Sequence, residues 1–317
     1  MPSPPPADPQ VPPPHGTGAA FVTGAGGFIG GHVAHALEAA GWRVAAFGDR
    51  RAEADWARGD LAAAKLEAAT AELGAPQLIV HCAGTGSVGA AQTDPDHHRA
   101  RTLGGLEAVL GAAGGEGARL VLLSSAAVYG EDGGEGVKAE DAQRRPISDY
   151  GRHKLEAETR ALDWASGAGG DLAVVRFFSI YGPRLRKQLF WDLYRRLAAE
   201  PAEIVIGGTG DELRDFLEVA DAVRLIGVLA ARPGGGEAVV VNGGSGRSTS
   251  VREAAESLAR AMGSKARIRF SGEQRPGNPQ VLVADPGRVR ALGFEPRIAL
   301  DAGLDRYVAW ARETDHG

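Results

Sequence analysis

Three glycines at a regular spacing, Gly24, Gly27 and Gly30, stand between a short apolar run and a helical pattern. The apolar run covers residues 19–23, and the helical pattern covers residues 30–40. Glycine tolerates a positive φ and, having no Cβ, lets the backbone come close to a pyrophosphate. The helix beyond the loop offers unpaired N–H groups and the positive end of its dipole to an anion. A simple glycine-rich turn is the alternative in a chain with 46 glycines, but the strand–loop–helix order favours a dinucleotide-binding loop.

Apolar runs alternate with helical patterns up to residue 178, which is typical of βαβ units and a parallel sheet. The runs are nearly continuous, as expected for strands whose two faces are both covered by helices. The sequence therefore predicts an α/β fold with a doubly wound Rossmann sheet. The predicted strands are 19–23, 43–47, 78–82, 120–124 and 172–178, and the predicted helices are 30–40, 62–73, 92–113 and 149–166.

The regular alternation of strands and helices ends at residue 178, and short predicted strands are mixed with helices after it. We interpret this part as a smaller α+β region that binds the substrate. The strands predicted there are 203–206, 238–241 and 266–270, and the helices are 190–199, 219–231, 251–262 and 286–292. The predicted organisation is a disordered Pro-rich tail at 1–17, a dinucleotide-binding domain at 18–178 to which segments near 212–245 return, and a mainly substrate-binding domain at 179–317.

Composition excludes several classes of function. The net charge of −5 argues against a nucleic-acid partner or an anionic membrane surface, since either would need a concentrated basic face. No apolar run is long enough for a membrane span. A single cysteine excludes an intrachain disulfide and favours a reducing, cytoplasmic setting.

The first fourteen residues hold eight prolines, so they are predicted to be a disordered tail rather than a signal peptide, with a PxxP ligand as the alternative.

The end of the second strand leaves the choice of cofactor open. Asp49 suits the ribose hydroxyls of NAD, whereas Arg50 and Arg51 suit the 2′-phosphate of NADP. Asp60 offers a second carboxylate, which either meets the adenine amino group or acts as a solvated helix N-cap. The sequence therefore predicts NAD as the cofactor, with NADP possible.

A phenol and an ammonium lie four residues apart, at Tyr150 and Lys154, and hence on one face of a predicted helix. A nearby Lys⁺ is expected to lower the pKa of the phenol, which can then exchange a proton with a substrate hydroxyl while a hydride moves. Ser124 and Ser125 follow a predicted strand, at the sheet edge where ligands bind. The Ser125 hydroxyl is placed to orient Tyr150 and the reacting oxygen. These residues predict alcohol–ketone hydride chemistry.

Taken together, the motifs resemble those of the extended short-chain dehydrogenase/reductases, specifically the nucleotide-sugar epimerase/dehydratase group. The resemblance covers residues 19–312 and implies NAD, a nucleotide-sugar substrate and a homodimer formed by the helices near 92–113 and 150–166. The matching segments are TGAGGFIG at 23–30, GDL at 59–61, HCAG at 81–84, SSAAVYG at 124–130, YGRHK at 150–154, RFFSIYGP at 176–183, RDF at 214–216 and RPGNP to LGFEP at 275–296.

The resemblance also implies roles for individual residues. The catalytic residues are Ser125, Tyr150 and Lys154. The cofactor-binding residues are Gly24, Gly27, Phe28, Ile29, Gly30, Asp49, Arg50, Asp60, Leu61, His81, Ala83, Gly84, Ser124, Tyr150, Lys154 and Phe177. The substrate-binding residues are Ser125, Ser179, Arg186, Arg214 and Arg275. Arg186 belongs to a basic stretch at 184–188, which binds phosphates or an acidic sugar, or is a solvated loop.

Departures from the family pattern reduce the number of family reactions that this chain is expected to catalyse. Family dehydratases carry an Asp-Glu pair where this chain has Ala126 and Ala127, so a 4,6-dehydratase is not expected. Cys82 lies in the cofactor-lining motif rather than in a substrate-site acid–base pair. A UDP-glucose 4-epimerase-like reaction is predicted, with an NADP-dependent 4-ketoreductase and a non-enzymatic dinucleotide-binding regulator as alternatives. No metal site is predicted, because the cluster at 94–98 stands where a helix begins.

Overall fold

The computed structural model of the chain describes residues 18–48, 60–84, 86, 88–130, 136–234, 237–273 and 279–315. The predictions made for the tail at 1–17 and for Asp49, Arg50 and Arg275 fall outside these residues. None of the helices in the described ranges combines the length and the apolar composition that a bilayer crossing requires.

Strands and helices alternate through the first half of the described chain. In chain order they are β1 (Ala19–Thr23), α1 (Phe28–Ala39), β2 (Arg43–Phe47), α2 (Ala63–Leu73), β3 (Pro76–His81), α3 (Val88–Thr93), α4 (Pro95–Glu116), β4 (Arg119–Ser125), a short 3-10 helix (Ala126–Val128), α5 (Asp149–Ala168) and β5 (Leu172–Phe177).

Short strands and helices follow in the second half. They are β6 (Ser179–Tyr181), α6 (Gln188–Leu197), β7 (Glu203–Ile206), β8 (Leu213–Arg214), β9 (Phe216–Glu218), α7 (Val219–Ala230), β10 (Val239–Gly243), β11 (Thr249–Ser250), α8 (Val251–Met262), β12 (Arg267–Phe270), β13 (Val281–Leu282), α9 (Gly287–Ala291) and α10 (Leu300–Asp315).

The main sheet has six parallel strands in the order β2-β1-β3-β4-β5-β10 among the described residues. The chain passes from β1 to β2 on one side and then crosses to β3 on the other. The carboxyl ends of β1 and β3 therefore flank a topological switch point, where ligands of such sheets bind. This arrangement confirms the predicted α/β fold and brings the segments after β1, β3 and β4 to one edge.

Both faces of the main sheet are buried, because its strands are apolar at nearly every position. Successive side chains point to opposite faces, so neighbouring residues of one strand enter different cores. Val22 packs towards α1 and α7, with Leu37 and Leu225. Phe21 packs towards α4 and α5, with Leu106 and Ala161. The helices on both faces hold the strand ends in place at the ligand-binding edge.

The C-terminal part has its own apolar core and three small sheets. Side chains of α6, α8 and α10 form this core, including Phe190, Leu258 and Tyr307, together with residues of the parallel pair β7–β12. The other small sheets are β11-β8-β13 and β6-β9. This is the smaller C-terminal α+β part that the sequence predicts, with the addition of helix α10, which the sequence pattern did not reveal.

One predicted helix is divided in two. The prediction at 92–113 corresponds to the end of α3 and most of α4, with a break at Asp94. The Asp94 carboxylate accepts a hydrogen bond from the His97 backbone N–H at 3.1 Å, and Pro95 occupies the first turn. Both features start a new helix. In the part of the chain that the structure describes, no three His, Cys, Asp or Glu side chains are grouped as they would be around a metal ion.

Candidate active site

The glycine loop between β1 and α1 is shaped by close backbone contacts. Gly24 has a φ of +69°, and a Cβ on Gly30 would lie only 2.3 Å from the Gly24 carbonyl oxygen. Gly27 is the N-cap of α1, with no side-chain cap hydrogen bond, and the first turn of the helix carries no acidic residue. The positive end of the helix therefore faces the loop without a side-chain counter-charge. These residues fit the diphosphate of a dinucleotide.

Substituting Gly30 by alanine is expected to weaken dinucleotide binding. The added methyl group overlaps the Gly24 carbonyl, so the loop must move away from the position that receives the diphosphate. We expect the Kd for NAD, measured by calorimetry, to rise at least about tenfold, or about 1.4 kcal/mol. Gly167→Ala, near the end of α5 where an added Cβ meets no atom within 4 Å, is the control. Equal NAD affinity in the two variants would contradict the loop geometry.

The end of β3 approaches the same loop through a hydroxyl bridge. Thr23 Oγ1 lies 2.9 Å from Nδ1 of His81 and accepts a hydrogen bond from the Ala83 N–H at 3.1 Å. Burial, with the nearby Lys154 charge, lowers the pKa of His81 to about 3, so this imidazole is neutral at working pH. Gly84 follows with a φ of +126°, and its Cβ position lies 3.6 Å from Lys154 Nζ. The predicted cofactor residues of this motif therefore lie beside the predicted catalytic lysine.

Asp60 and Leu61 lie before α2, on the far side of the loop. Asp60 forms an exposed ion pair with Arg101 at 2.8 Å, and Leu61 packs on the core between the sheet and α4. The N-cap position of α2 is held by Ala62, so the helix N-cap considered for Asp60 is not formed. The adenine-binding role of Asp60 stays a prediction.

Ser125, Tyr150 and Lys154 come together at the carboxyl end of β4. Tyr150 lies in the first turn of α5 and is hydrogen-bonded to the Ser125 side chain. The Ser125 hydroxyl also accepts a hydrogen bond from the Ala127 N–H at 3.2 Å. Lys154 is nine-tenths buried, and its ammonium donates to the Leu123 carbonyl at 3.0 Å. The three predicted catalytic residues thus form one cluster, built from one strand end and one helix face.

The electrostatics of this cluster correct one expectation. Burial raises the pKa of the Tyr150 phenol, and the hydrogen bond with Ser125 opposes that rise. Burial also lowers the pKa of Lys154. The sequence suggested that Lys154 would lower the pKa of Tyr150, but the group that does so here is Ser125, because the ammonium is turned to the Leu123 carbonyl. Neutral phenol is therefore the resting form of Tyr150.

The predicted substrate residues occupy different surroundings. Phe177, which was predicted to bind the cofactor, is buried at the end of β5 in register with Ser125. Next to it, the Ser179 N–H donates to the Asp215 carbonyl at 2.9 Å. Arg214 lies nine-tenths buried on β8, and burial lowers the pKa of its guanidinium. Arg186 is exposed and stacks on the indole rings of Trp191 and Trp310, at 5.7 and 5.8 Å. Its contacts are with those rings and not with the Ser125, Tyr150 and Lys154 cluster.

Several buried polar residues of the site were not predicted. Asp215 accepts hydrogen bonds from the N–H groups of Ser245, Gly246 and Ala284, at 2.6 to 3.2 Å, and so joins β8 to the segment after β10. Glu158 lies one turn beyond Lys154 on the same face of α5. The i+4 spacing from Lys154 was a usable signal for Glu158. The partners of Asp215 lie 30 to 69 residues away, beyond any local pattern.

Two buried imidazoles meet beside Tyr150. Nδ1 of His98 on α4 lies 2.8 Å from Nδ1 of His153 on α5, and the His98 ring is edge-on to the Tyr150 ring at 6.0 Å. A hydrogen bond between the two nitrogens requires that one of them be unprotonated. Burial, followed by the His98 charge, lowers the pKa of His153 from 6.5. The pair therefore favours neutral His153.

We expect the free energy of unfolding to fall as the pH drops below 6.5. Unfolded His153 binds a proton near pH 6.5, whereas folded His153 binds it only at lower pH, so protons favour the unfolded chain. His32 and His81 act in the same direction, since burial lowers the pKa of both. Chemical denaturation at pH 7.5, 6.5 and 5.5, values chosen around that pKa, measures this dependence. His153→Gln should reduce the loss on acidification, and an unchanged loss would contradict the role of the pair.

Comparison with known proteins places these observations in a family. A family model described as "NAD dependent epimerase/dehydratase family" matches residues 20–242. The UDP-glucose 4-epimerase of Azospirillum brasilense is 31% identical over 325 residues, which cover 93% of this chain and 92% of the relative.

Comparison with solved structures agrees with the comparison of sequences. MoeE5 in complex with UDP-glucuronic acid and NAD superposes with a TM-score of 0.82 at 32% identity, covering 94% of this chain and all of the other. The UDP-glucose 4-epimerase of Thermotoga maritima, solved with UDP-glucose, superposes with a TM-score of 0.81 at 25% identity, covering 93% and 99% of the two chains.

Proposed function

Because this chain belongs to the NAD-dependent epimerase/dehydratase family of nucleotide-sugar enzymes, we propose that it is a nucleotide-sugar 4-epimerase of the UDP-glucose 4-epimerase type. The observation that carries the proposal is the cluster of partly buried Ser125 and Tyr150 with buried Lys154 at the end of β4, beside the Gly84 backbone. These residues supply proton transfer next to the dinucleotide loop. With a bound dinucleotide as the hydride acceptor, no further acid or base would be needed to oxidise and re-reduce one carbon.

The chemistry of each residue follows from its position. The loop of Gly24, Gly27 and Gly30 would hold NAD, which would supply the hydride acceptor for C4 of the sugar and the donor for the return of that hydride to the opposite face. Tyr150, once its phenol is ionised, takes the proton of the C4 hydroxyl as the hydride leaves and gives it back when the hydride returns. Ser125, hydrogen-bonded to Tyr150, orients the phenol and donates to the reacting oxygen. Lys154, whose ammonium is held against the Leu123 carbonyl and lies beside the Gly84 backbone, is placed to hold the cofactor next to Tyr150.

The residues after Ser125 support epimerisation over loss of water. Ala126 is 1% exposed and Ala127 offers its N–H to the Ser125 hydroxyl, so neither position provides an acid or a base. A 4,6-dehydration needs such groups to remove a proton and expel a hydroxide. The geometry therefore favours the reaction that requires the triad alone.

The substrate-binding side favours a diphosphate-linked sugar. Arg214 is a nine-tenths buried guanidinium on β8, and Asp215 beside it holds the segment 245–246 by three hydrogen bonds, those from the Ser245 N–H and hydroxyl and the Gly246 N–H. A buried arginine suits the bidentate recognition of phosphate. MoeE5 was solved with UDP-glucuronic acid and with UDP-glucose, which makes UDP-sugars the first candidates.

The proposal is tested by identifying the retained cofactor and the product. Protein purified without added cofactor should release NAD on denaturation at close to one equivalent, and UDP-glucose or UDP-glucuronic acid should be converted into its C4 epimer. A protein that retains no NAD but oxidises NADPH with a 4-keto sugar nucleotide would instead be the ketoreductase, for which Arg50 and Arg51 are the sequence evidence. The ligand that most raises the melting temperature identifies the sugar nucleotide.

We further propose that the protein is a homodimer formed through α4 and α5. The outer face of α4 carries small residues, Ala100, Gly104 and Gly111, all of them exposed. Small residues let two helices approach closely across an interface. Light scattering at micromolar concentration tests this proposal, and a monomer mass would contradict it.

A further inference from the structure

Three successive turns of α5 contact the end of β4. Tyr150 is hydrogen-bonded to the Ser125 side chain, and Lys154 donates to the Leu123 carbonyl at 3.0 Å. In the next turn, the Glu158 carboxylate accepts a hydrogen bond from the Ser124 hydroxyl. The three α5 residues are spaced by four, so they lie on one face of the helix. The last of these contacts involves no residue that touches the reacting atoms.

Glu158 is held by a buried arginine on the neighbouring strand. Arg176 on β5 donates through Nε and Nη2 to both carboxylate oxygens, at 2.8 to 3.1 Å. Glu158 is fully buried and Arg176 is 2% exposed. The remaining arginine nitrogen donates to the Tyr129 hydroxyl at 2.9 Å and to the Glu140 carbonyl at 2.8 Å. The carboxylate thus connects β4, β5 and α5 at one point.

Stability alone does not account for this ion pair. Removing two charges from water costs about as much free energy as their attraction returns, and apolar residues of similar volume are often equally stabilising. The geometry of the pair, in contrast, has a clear effect. Ser124 and Arg176 are directly opposite each other in the β4–β5 register, and Glu158 contacts both. Helix α5 therefore cannot slide along the sheet without breaking a buried charged contact.

We propose that Glu158 is a positioning residue, which with Arg176 and Ser124 fixes the register of α5 on β4 and thereby places Lys154 and Tyr150 for proton transfer. This inference rests on the proposed function, since it assumes that Lys154 and Tyr150 perform the chemistry. Glu158 does not touch the substrate. Its carboxylate also faces the Lys154 side of the helix, where its charge raises the pKa of that ammonium against the larger effect of burial.

The test separates position from stability by comparing a single with a double substitution. Glu158→Gln leaves a buried, uncompensated Arg176, so both the melting temperature and kcat should fall. Glu158→Met combined with Arg176→Met removes both charges, and the melting temperature should recover part of the loss, the rest reflecting the Ser124 hydroxyl and the Glu140 carbonyl left without these partners. We expect kcat for the C4 epimerisation to stay at least about tenfold low in the double variant, with KM within about twofold of the wild type. A double variant with wild-type kcat would overturn the proposal.

A control and a milder variant complete the experiment. The exposed ion pair of Arg160 and Glu107, which also joins α5 to α4, should leave kcat unchanged when both are replaced by Gln. Ser124→Ala removes only the hydroxyl donor and keeps the ion pair, so it applies even if the double variant does not fold. We expect it to lower kcat about threefold to tenfold with little change in KM. Wild-type kcat in Ser124→Ala would also contradict the proposal.

A measurement without substrate distinguishes failure of this proposal from failure of the proposed function. The chain has five lysines, so the side-chain ammonium of Lys154 can be followed by NMR with labelled lysine and assigned with Lys154→Met. In Ser124→Ala, which keeps every charge in place, the Lys154 titration should shift, because the ammonium is displaced relative to the Leu123 carbonyl and to Glu158. If the wild type epimerises no UDP-sugar, the proposed function fails while this shift still supports the positioning role. An unshifted titration rejects the positioning role in either case.

Discussion

Replacing Tyr150 with phenylalanine is expected to reduce kcat for C4 epimerisation by about 10²- to 10⁴-fold, the usual contribution of a general acid–base group. The phenylalanine ring keeps the partly buried position and the edge contact with His98, so the fold and NAD binding should be retained. Only the hydroxyl that bonds to Ser125 and exchanges the proton is lost. Turnover with a UDP-sugar, NAD content and melting temperature should be measured on the same preparation.

Tyr307→Phe is the matched control for that loss. Tyr307 is fully buried, and its hydroxyl donates to the Leu185 carbonyl at 2.9 Å in the C-terminal core. Its removal should cost about 1 kcal/mol of stability and leave kcat unchanged. If Tyr150→Phe behaved like this control, the enzymatic assignment would be wrong, and a dinucleotide-binding regulator would be the better description.

Replacing Gly151 with alanine is expected to lower kcat by about 10²-fold, because a misplacement of about 1 Å at a catalytic group has that effect. A Cβ at this position would lie 2.5 Å from the Ala127 carbonyl oxygen and 2.9 Å from the Pro146 ring. The first turn of α5 must therefore move away from the Ser125 segment, and Tyr150 moves with it. The melting temperature should fall as well, because this movement strains the hydrogen bond from the Gly151 N–H to the Ser148 hydroxyl, which caps the start of α5.

The control for Gly151 lies on the same helix. A Cβ on Gly167 meets no atom within 4 Å, so Gly167→Ala should stabilise α5 by up to about 1 kcal/mol through helix propensity and leave kcat unchanged. Steady-state kinetics and thermal unfolding of both variants give the comparison. Equal kcat in the two would show that the close approach of α5 to Ala127 is not needed for catalysis.

Local signals were sufficient for much of the fold. Strand β2 was predicted with its observed bounds, since an apolar run there ends at Gly48, which has a φ of +86°. Helix α8 was also predicted in full, because Ser250 caps its start and Gly263, with a φ of +69°, ends it. Turn and cap chemistry is encoded within a few residues, so a single sequence reveals it.

Features that depend on distant contacts were missed. The apolar positions of helix α10 can be recognised as a buried face only once α6 and α8 pack against them. No clear helix-start signal precedes α10 in the sequence. The contact of His98 with His153 joins residues 55 positions apart, and the stacking of Arg186 on Trp310 spans more than 120 positions. Which groups meet in space depends on the helix packing, and a one-dimensional pattern does not contain that information.

The same limit applies to the catalytic cluster. The spacing of Tyr150 and Lys154 predicted a shared helix face, which the structure has. The direction of the Lys154 ammonium, towards the Leu123 carbonyl, is determined by how α5 sits on β4. The position of α5 on β4 depends on Gly151 and Glu158, whose partners on other elements cannot be deduced from spacing alone.

The return of β10 to the main sheet has a consequence for how the chain must be synthesised. Strand β10 covers the outer edge of β5, whose six residues are all buried, yet it is encoded more than 60 positions later. Until β10 has been synthesised through residue 243 and has emerged from the ribosome, β5 presents an apolar edge with unpaired N–H and C=O groups. Such an edge is prone to pair with other chains. A truncated gene ending near residue 178 should therefore yield aggregated material, whereas one ending after the C-terminal helix should not.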